Sequence, residues 1–77
     1  MFLFGISTYA QSSNIKGKIV DVKTNQPIQF AAIENLDNWE NSVTNEKGEF
    51  TIKGSEGDEI KVSHLSYNSV IVELQTD

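Results

Sequence analysis

The stretch Asn45–Lys53, which reads NEKGEFTIK, decides the fold class. Its first four residues favour a tight turn, because Asn tolerates the left-handed region of backbone space and Gly48 enters that region without a steric penalty. The next five residues alternate between polar and apolar, which places Phe50 and Ile52 on one face of a strand. The stretch therefore predicts a β-hairpin with one buried face, in which Gly48 has a positive φ.

Similar segments lie on both sides of this hairpin, and each ends at a polar turn. Besides the strand 49–53, we expect strands at 15–22, 28–36, 42–44, 59–65 and 69–74. Pro27 cannot donate a ladder hydrogen bond, so it is expected at a turn exit or at the first position of a strand. No segment carries an apolar stripe of helical period over about 11 positions. Strands about 8–12 residues apart are typical of a small antiparallel sandwich or barrel, so we expect an all-β fold.

Length, charge and cysteine content limit the classes of function. The 77 residues allow one small domain, and the absence of Cys removes both disulfides and thiolate metal ligands. The net charge of −5 argues against binding to nucleic acid or to an anionic membrane surface, because both need clustered cations. The core is therefore expected to form by ordinary apolar packing, and no nucleic-acid partner is expected.

Residues 1–10 differ from the rest of the chain, because they carry no charge and stop abruptly at the polar run that begins with Gln11. An apolar stretch that ends in small residues, here Thr8 and Ala10, is typical of the end of a secretory signal peptide. The apolar part is short and no Lys or Arg precedes it, so we interpret 1–10 as the remnant of a truncated signal and 11–77 as the mature domain. A plain N-terminal strand of the fold is the alternative interpretation.

Four segments of the chain follow one order and spacing: Gly17–Asp21, Pro27–Ile33, Thr44–Phe50 and Gly57–Tyr67. In this series the chain resembles the carboxypeptidase regulatory-like domain, a transthyretin-like β-sandwich. The resemblance extends over about residues 15–74 and departs from the family pattern at Ser66, where glycine is common before the tyrosine. It implies a small antiparallel Greek-key sandwich of about six or seven strands.

The same resemblance implies a location and a general role. Relatives of this kind occur at the N-terminus of TonB-dependent outer-membrane receptors and in other exported proteins with further domains. The resemblance therefore implies a non-catalytic accessory or docking module in the periplasm, the outer membrane or the cell surface of a Gram-negative-type bacterium. Its expected partner is an envelope protein or a further domain of the same polypeptide, and no cofactor or enzymatic activity is expected, since the family is defined by its scaffold.

Trp39, in the polar loop Asp37–Asn41, is the strongest candidate for a contact residue, because an exposed Trp is a frequent binding anchor. Together with Asn38 and Asn41 it suggests a glycan-binding or adhesion module as the alternative function, in which the indole ring stacks on a sugar. The structural interpretation of the same residue is a lid over one end of the sandwich. The sequence leaves both interpretations of Trp39 open.

The remaining candidates for chemistry have structural interpretations. His64 has the parity of the core-facing residues of its strand, which predicts a packed position at the core or its rim. The chain has one His and no Cys or Arg, so His64 has no second ligand of the usual kind for a transition metal. The carboxylates of Glu56, Asp58 and Glu59 lack the spacing of a calcium loop and are expected to form a solvated acidic turn. We therefore expect no catalytic, cofactor-binding or metal-binding residue.

Overall fold

A computed structural model describes the backbone of residues 4–11 and the whole of residues 14–74. Within these ranges the chain forms seven strands and no helix: β1 (Phe4–Gln11), β2 (Asn14–Asp21), β3 (Ala32–Asn35), β4 (Asn41–Val43), β5 (Glu49–Lys53), β6 (Glu59–His64) and β7 (Tyr67–Glu73). The described residues contain no helix of the length and hydropathy that a membrane crossing needs. The predicted all-β fold is confirmed.

The strands form two antiparallel sheets, with the orders β1-β2-β5 and β4-β3-β6-β7. The strands β3, β4 and β5 follow one another along the chain, whereas β2 lies beside β5 and β6 lies beside β3. The chain therefore passes from one sheet to the other three times, from β2 to β3, from β4 to β5 and from β5 to β6. The predicted β-sandwich is therefore confirmed.

The core lies between the two sheets and follows from the period-two pattern of the strands. In the register, Ile15 of β2 lies opposite Ile52 of β5, and Ile33 of β3 lies opposite Val62 of β6. The buried apolar residues are Ile15, Ile19, Ile28, Ala31, Ile33, Phe50, Ile52, Ile60, Val62 and Leu74. Most of these side chains are aliphatic, so apolar packing rather than any crosslink holds the two sheets together.

The N-terminal strand β1 pairs with β2 from Phe4 opposite Asp21 to Gln11 opposite Asn14. The alternative interpretation of residues 1–10 was an N-terminal strand of the fold, and β1 is such a strand. Whether residues 1–10 are removed from the chain is a matter of processing, so the signal-peptide interpretation stays a prediction.

The strand expected at 28–36 is shorter in the structure, where β3 begins at Ala32. Phe30 has a φ of 64°, which lies in the left-handed region and outside the β region of a regular strand, so the regular ladder does not extend back through it. Pro27 makes an isolated bridge with Val20, in agreement with its expected place at a strand margin. Hydrophobic composition predicted a strand through this segment, and one left-handed residue prevents it.

The β4–β5 turn has the predicted positive φ at Gly48, which is 75°. The predicted hairpin is wrong, because β4 belongs to the four-stranded sheet and β5 to the three-stranded sheet, so the turn carries the chain from one sheet to the other. The side-chain oxygen of Asn45 accepts hydrogen bonds from the backbone N–H of Lys47 at 2.9 Å and of Glu49 at 3.0 Å. The turn is also fixed to β2, the neighbour of β5 in the same sheet, because the carbonyl of Gly48 accepts a hydrogen bond from the N–H of Ile19 at 2.8 Å. A Cβ added at Gly48 would overlap the carbonyl oxygen of Ile19, so close approach as well as φ requires glycine.

Candidate functional site

The loop between β3 and β4 carries the predicted contact residues, and Asn35 organises it. Asn35 is completely buried, and its side-chain oxygen accepts a hydrogen bond from the N–H of Asp37 at 2.8 Å. The backbone of Asn35 closes the loop, since its carbonyl accepts from the N–H of Trp39 at 2.9 Å and its N–H donates to the carbonyl of Glu40 at 2.8 Å. Residues 35–40 therefore form a compact turn anchored at a buried amide.

Trp39 projects from this turn into solvent. Its side chain is 71% exposed and its φ is 63°. The neighbouring Asn38 ties the turn to the other sheet, because its side-chain nitrogen donates to the carbonyl of Lys53 at 3.1 Å, while its side-chain oxygen accepts from the N–H of Glu40 at 2.9 Å. Asn41, the third predicted contact residue, is exposed at the first position of β4. The three residues thus lie close together along the chain at one end of the sandwich, with the indole ring the most accessible apolar group among them.

The predicted acidic turn lies beside this loop. Glu56 and Glu59 are exposed as expected, but Asp58 is half-buried and its carboxylate is bonded to the protein rather than solvated. The carboxylate oxygen Oδ2 of Asp58 accepts hydrogen bonds from the side-chain amide of Asn35 and from the N–H of Ser55, both at 2.9 Å. These two bonds hold the pKa of the Asp58 carboxyl below its ordinary value. Likewise, Oδ2 of Asp37 accepts from the N–H of Glu59 at 2.8 Å. Among the residues that the structure describes, no group of three His, Cys, Asp or Glu side chains is arranged to hold a metal ion.

His64 lies at the rim of the sandwich rather than in its core, at a register irregularity between Val62 and His64. Its Nδ1 accepts a hydrogen bond from the N–H of Ser66 at 3.1 Å, and its Nε2 lies 3.1 Å from the carbonyl of Gln29. Since a carbonyl only accepts and a backbone N–H only donates, these two partners match the tautomer that carries its proton on Nε2. The ring also meets Tyr67 edge to face, with the ring centroids 5.4 Å apart. Of the two predicted positions, core or rim, the structure shows the rim, where the imidazole closes the β6–β7 turn.

The same turn explains how Ser66 replaces the usual glycine. The described residues with positive φ, apart from glycines, are Asn25, Phe30 and Trp39. Ser66 is therefore not in the left-handed region, and its N–H is held by the His64 ring.

A partly buried polar pair that the sequence did not predict joins the two sheets. The hydroxyl of Tyr67 donates to Oδ2 of Asp21 at 2.8 Å, and Oδ1 of Asp21 accepts from the N–H of Lys23 at 2.7 Å. The tyrosine hydrogen bond is the main cause that lowers the pKa of Asp21 and raises the pKa of Tyr67. Both residues belong to the segments that carry the family resemblance, which is the signal that could have found them.

Comparison with protein families gives the chain its class. Residues 15–77 match the family model of the CarboxypepD_reg-like domain. The match covers more than half of the chain, so the chain belongs to the CarboxypepD_reg-like domain family, whose members are β-sandwich domains of a non-catalytic type. The resemblance predicted from the sequence is thus confirmed. No curated protein and no solved structure matches the chain.

Proposed function

We propose that this chain is a non-catalytic docking module of an exported bacterial envelope protein, such as the N-terminal domain of a TonB-dependent receptor. The observation that carries the proposal is the family match over residues 15–77, since that family supplies scaffolds and not active sites. The polar chemistry supports it as well. The side chains of Asp21, Asn35 and Asp58 are each committed to bonds that hold strands and turns in place.

The position of the family match also supports export. The match begins at Ile15, downstream of the expected cleavage point between Ala10 and Gln11. Removal of residues 1–10 therefore leaves the whole matched domain intact. It would expose the edge of β2 that β1 covers, and sheet edges are surfaces through which β proteins bind extended segments of their partners.

The test of export is the N-terminus of the chain in its own cells. Antibodies raised against residues 14–74 would recover the protein from separated cytosolic, periplasmic and outer-membrane fractions, and mass spectrometry would read its first peptide. We expect the envelope fractions to contain a chain that begins at Gln11. An Ala10→Leu variant should accumulate unprocessed, because signal cleavage requires a small residue there, whereas Ala10→Ser should be processed normally. Recovery of unprocessed wild-type chain from the cytosol would refute the proposal.

Glycan binding is the second candidate function, and the exposure of Trp39 favours it. An indole ring that is 71% exposed on a turn anchored by Asn35 and Asn38 presents a flat apolar face that can stack on a sugar ring. Phe30 provides a matched control, because its side chain is also 71% exposed but lies outside this loop.

The discriminating experiment is a glycan array with the full chain and two variants. If the module binds glycans through this loop, Trp39→Ala should abolish binding and Phe30→Ala should retain it. Equal loss in both variants, or no binding by the wild-type chain, would eliminate the glycan-binding function and leave protein docking.

A further inference from the structure

The four-stranded sheet ends in two very different edge strands. At one edge β4 has three residues, and a very short edge strand is a common protection against unwanted pairing. At the other edge β7 has seven residues and contains neither Lys nor Pro, the residues that usually block strand addition. In the part of the chain that the structure describes, no strand lies on the outer side of β7.

The free backbone groups of β7 can be assigned from its hydrogen bonds to the inner neighbour. At its C-terminal end, the N–H of Leu74 donates to the carbonyl of Asp58 at 2.8 Å, and the carbonyl of Leu74 accepts from the N–H of Gly57 at 2.9 Å. In an antiparallel strand the direction of these groups alternates, so Val70 and Val72 also bond inward to β6. The N–H and carbonyl groups of the intervening residues Ser69, Ile71 and Glu73 therefore point away from the sheet.

The side chains of these residues form the outer face of the edge strand. Ser69 and Glu73 are exposed, and Ile71 between them is 56% exposed. On the opposite face, Val70 and Val72 are partly buried and pack against the core. The edge thus presents a free ladder of backbone groups with one large apolar side chain at its centre.

We propose that β7 pairs antiparallel with β7 of a second copy of this chain, with Ile71 on the two-fold axis. Residues whose backbone groups point outward must pair with one another, and the register centred on Ile71 satisfies this condition. It places Ile71 against Ile71 of the second copy, and Ser69 against Glu73 of the second copy. Three residues that each exchange two bonds would give about six backbone hydrogen bonds and join the two sheets into one continuous sheet.

The charges of the edge strand are compatible with this register. Within one chain Glu73 lies directly opposite Glu59, a like-charge pair that is unfavourable. In the paired edge the Ser69 hydroxyl of the second copy can donate to the Glu73 carboxylate on its other side. The two Glu73 residues are offset by four positions, or about 14 Å along the strand, which exceeds the Debye length of about 8 Å at physiological salt.

The net charge and the size of the interface determine the strength of the pairing. Each chain carries a net charge of −5, so overall repulsion opposes association and salt should strengthen it. A single pair of edge strands is a small interface, well below the roughly 1,200 Å² of a standard stable one. We therefore expect a weak dimer whose population rises with protein concentration and with ionic strength.

Sedimentation equilibrium with matched edge variants tests the proposal. Ile71 on β7 is 56% exposed and Val43 on β4 is 57% exposed, so a lysine at either position is equally solvated and both variants should fold. We expect wild type and Val43→Lys to form the dimer to the same extent at high concentration and high salt. Ile71→Lys should remain monomeric. A monomeric wild type, or an Ile71→Lys variant that dimerises as well as wild type, would overturn the proposal.

Disulfide trapping tests the register itself, because the chain contains no cysteine. Hydrogen-bonded antiparallel partners have Cα atoms about 5.5 Å apart, which lies within the usual disulfide range of about 4.4–6.8 Å. Under mild oxidation Ile71→Cys should form a covalent dimer rapidly, whereas Val43→Cys should react at the rate of random collision. Equal crosslinking of the two variants would refute pairing through β7.

Discussion

The hydroxyl of Tyr67 and the carboxylate of Asp21, 46 residues apart in sequence, are joined by a 2.8 Å hydrogen bond. Asp21 ends β2 in the three-stranded sheet, and Tyr67 begins β7 in the four-stranded sheet. The carboxylate also accepts the N–H groups of Lys23 and Thr24, so the turn after β2 is organised by the same side chain. One aspartate therefore shapes a turn and links the two sheets.

Removal of the Tyr67 hydroxyl should destabilise the fold. Tyr67→Phe keeps the ring and its edge-to-face contact with His64 but leaves Oδ2 of Asp21, a residue 7% exposed, without its donor. We expect a lower melting temperature than wild type. Ser69→Ala, an exposed change on the same strand, should have little effect. A Tyr67→Phe protein that melts with wild type would show that the bond contributes no stability.

Acid should reduce the contribution that the carboxylates of Asp21 and Asp58 make to the stability of the fold. Hydrogen bonds, from Tyr67 first for Asp21 and from Asn35 first for Asp58, hold both pKa values below the ordinary 3.8. A group with a lowered folded-state pKa stabilises the protein above its unfolded pKa and loses that contribution as the pH falls through the folded value. We expect the melting temperatures of wild type and of the Asp21→Asn, Asp58→Asn double variant to differ at neutral pH and to converge below pH 3.8. A difference in melting temperature that stays constant from neutral pH to below pH 3.8 would contradict the stabilising role of the two carboxylates.

A valine at Gly48 should lower the free energy of unfolding more than a valine at either of two reference positions, Gly57 and Lys47. A left-handed conformation costs a non-glycine residue about 1–2 kcal/mol, and at Gly48 the added Cβ also overlaps the carbonyl of Ile19. Gly57 has a φ of 91° but no atom within 4 Å of an added Cβ, so it experiences the strain alone. Denaturant unfolding should therefore rank the losses as Gly48→Val, then Gly57→Val, then Lys47→Val. Equal losses of unfolding free energy at Gly48 and Gly57 would mean that the Asn45–Gly48 turn shifts away from the Ile19 carbonyl without an energetic cost.

The hydroxyl of Thr44 should be essential to the segment before β3. Thr44 is 2% exposed, and its hydroxyl donates to the carbonyl of Ile28 at 2.6 Å and accepts from the N–H of Ala31 at 2.8 Å. Thr44→Val keeps the shape but leaves both backbone groups buried without a partner, which should cost about 1–3 kcal/mol. Thr51→Val on the exposed face of β5 should change stability by less than about 0.5 kcal/mol. Similar unfolding free energies for the two variants would disprove this role of Thr44.

The chain that begins at Gln11 should fold on its own. The family match starts at Ile15, so the sheet that remains after removal of residues 1–10 contains the matched domain. We expect cooperative thermal unfolding of the residue 11–77 protein, with native β-sheet circular dichroism. A loss of cooperative unfolding would show that β1, which pairs with β2, is an indispensable strand and would count against a removable signal.

The sequence by itself determined the features that depend on neighbouring residues. Alternation in Glu49–Lys53 specified a half-buried strand, and the Asn45–Gly48 turn specified the positive φ that the structure has. The order and spacing of four segments within about residues 15–74 carried the resemblance to the family, and the family match over residues 15–77 confirms it. These features were predictable because strand period and turn geometry are properties of a few adjacent residues.

The tertiary structure decided what the pattern could not specify. Phe30 looked like part of a strand, yet it adopts a φ of 64° where Thr44 binds the chain on both sides of it. Asn35, at a position predicted as ordinary strand, became the buried anchor of the Trp39 loop through its bonds to Asp37 and to Asp58, 23 residues away. Such bonds depend on which distant atoms the packed sheets bring together, and a buried polar group must find its partner wherever the fold places one.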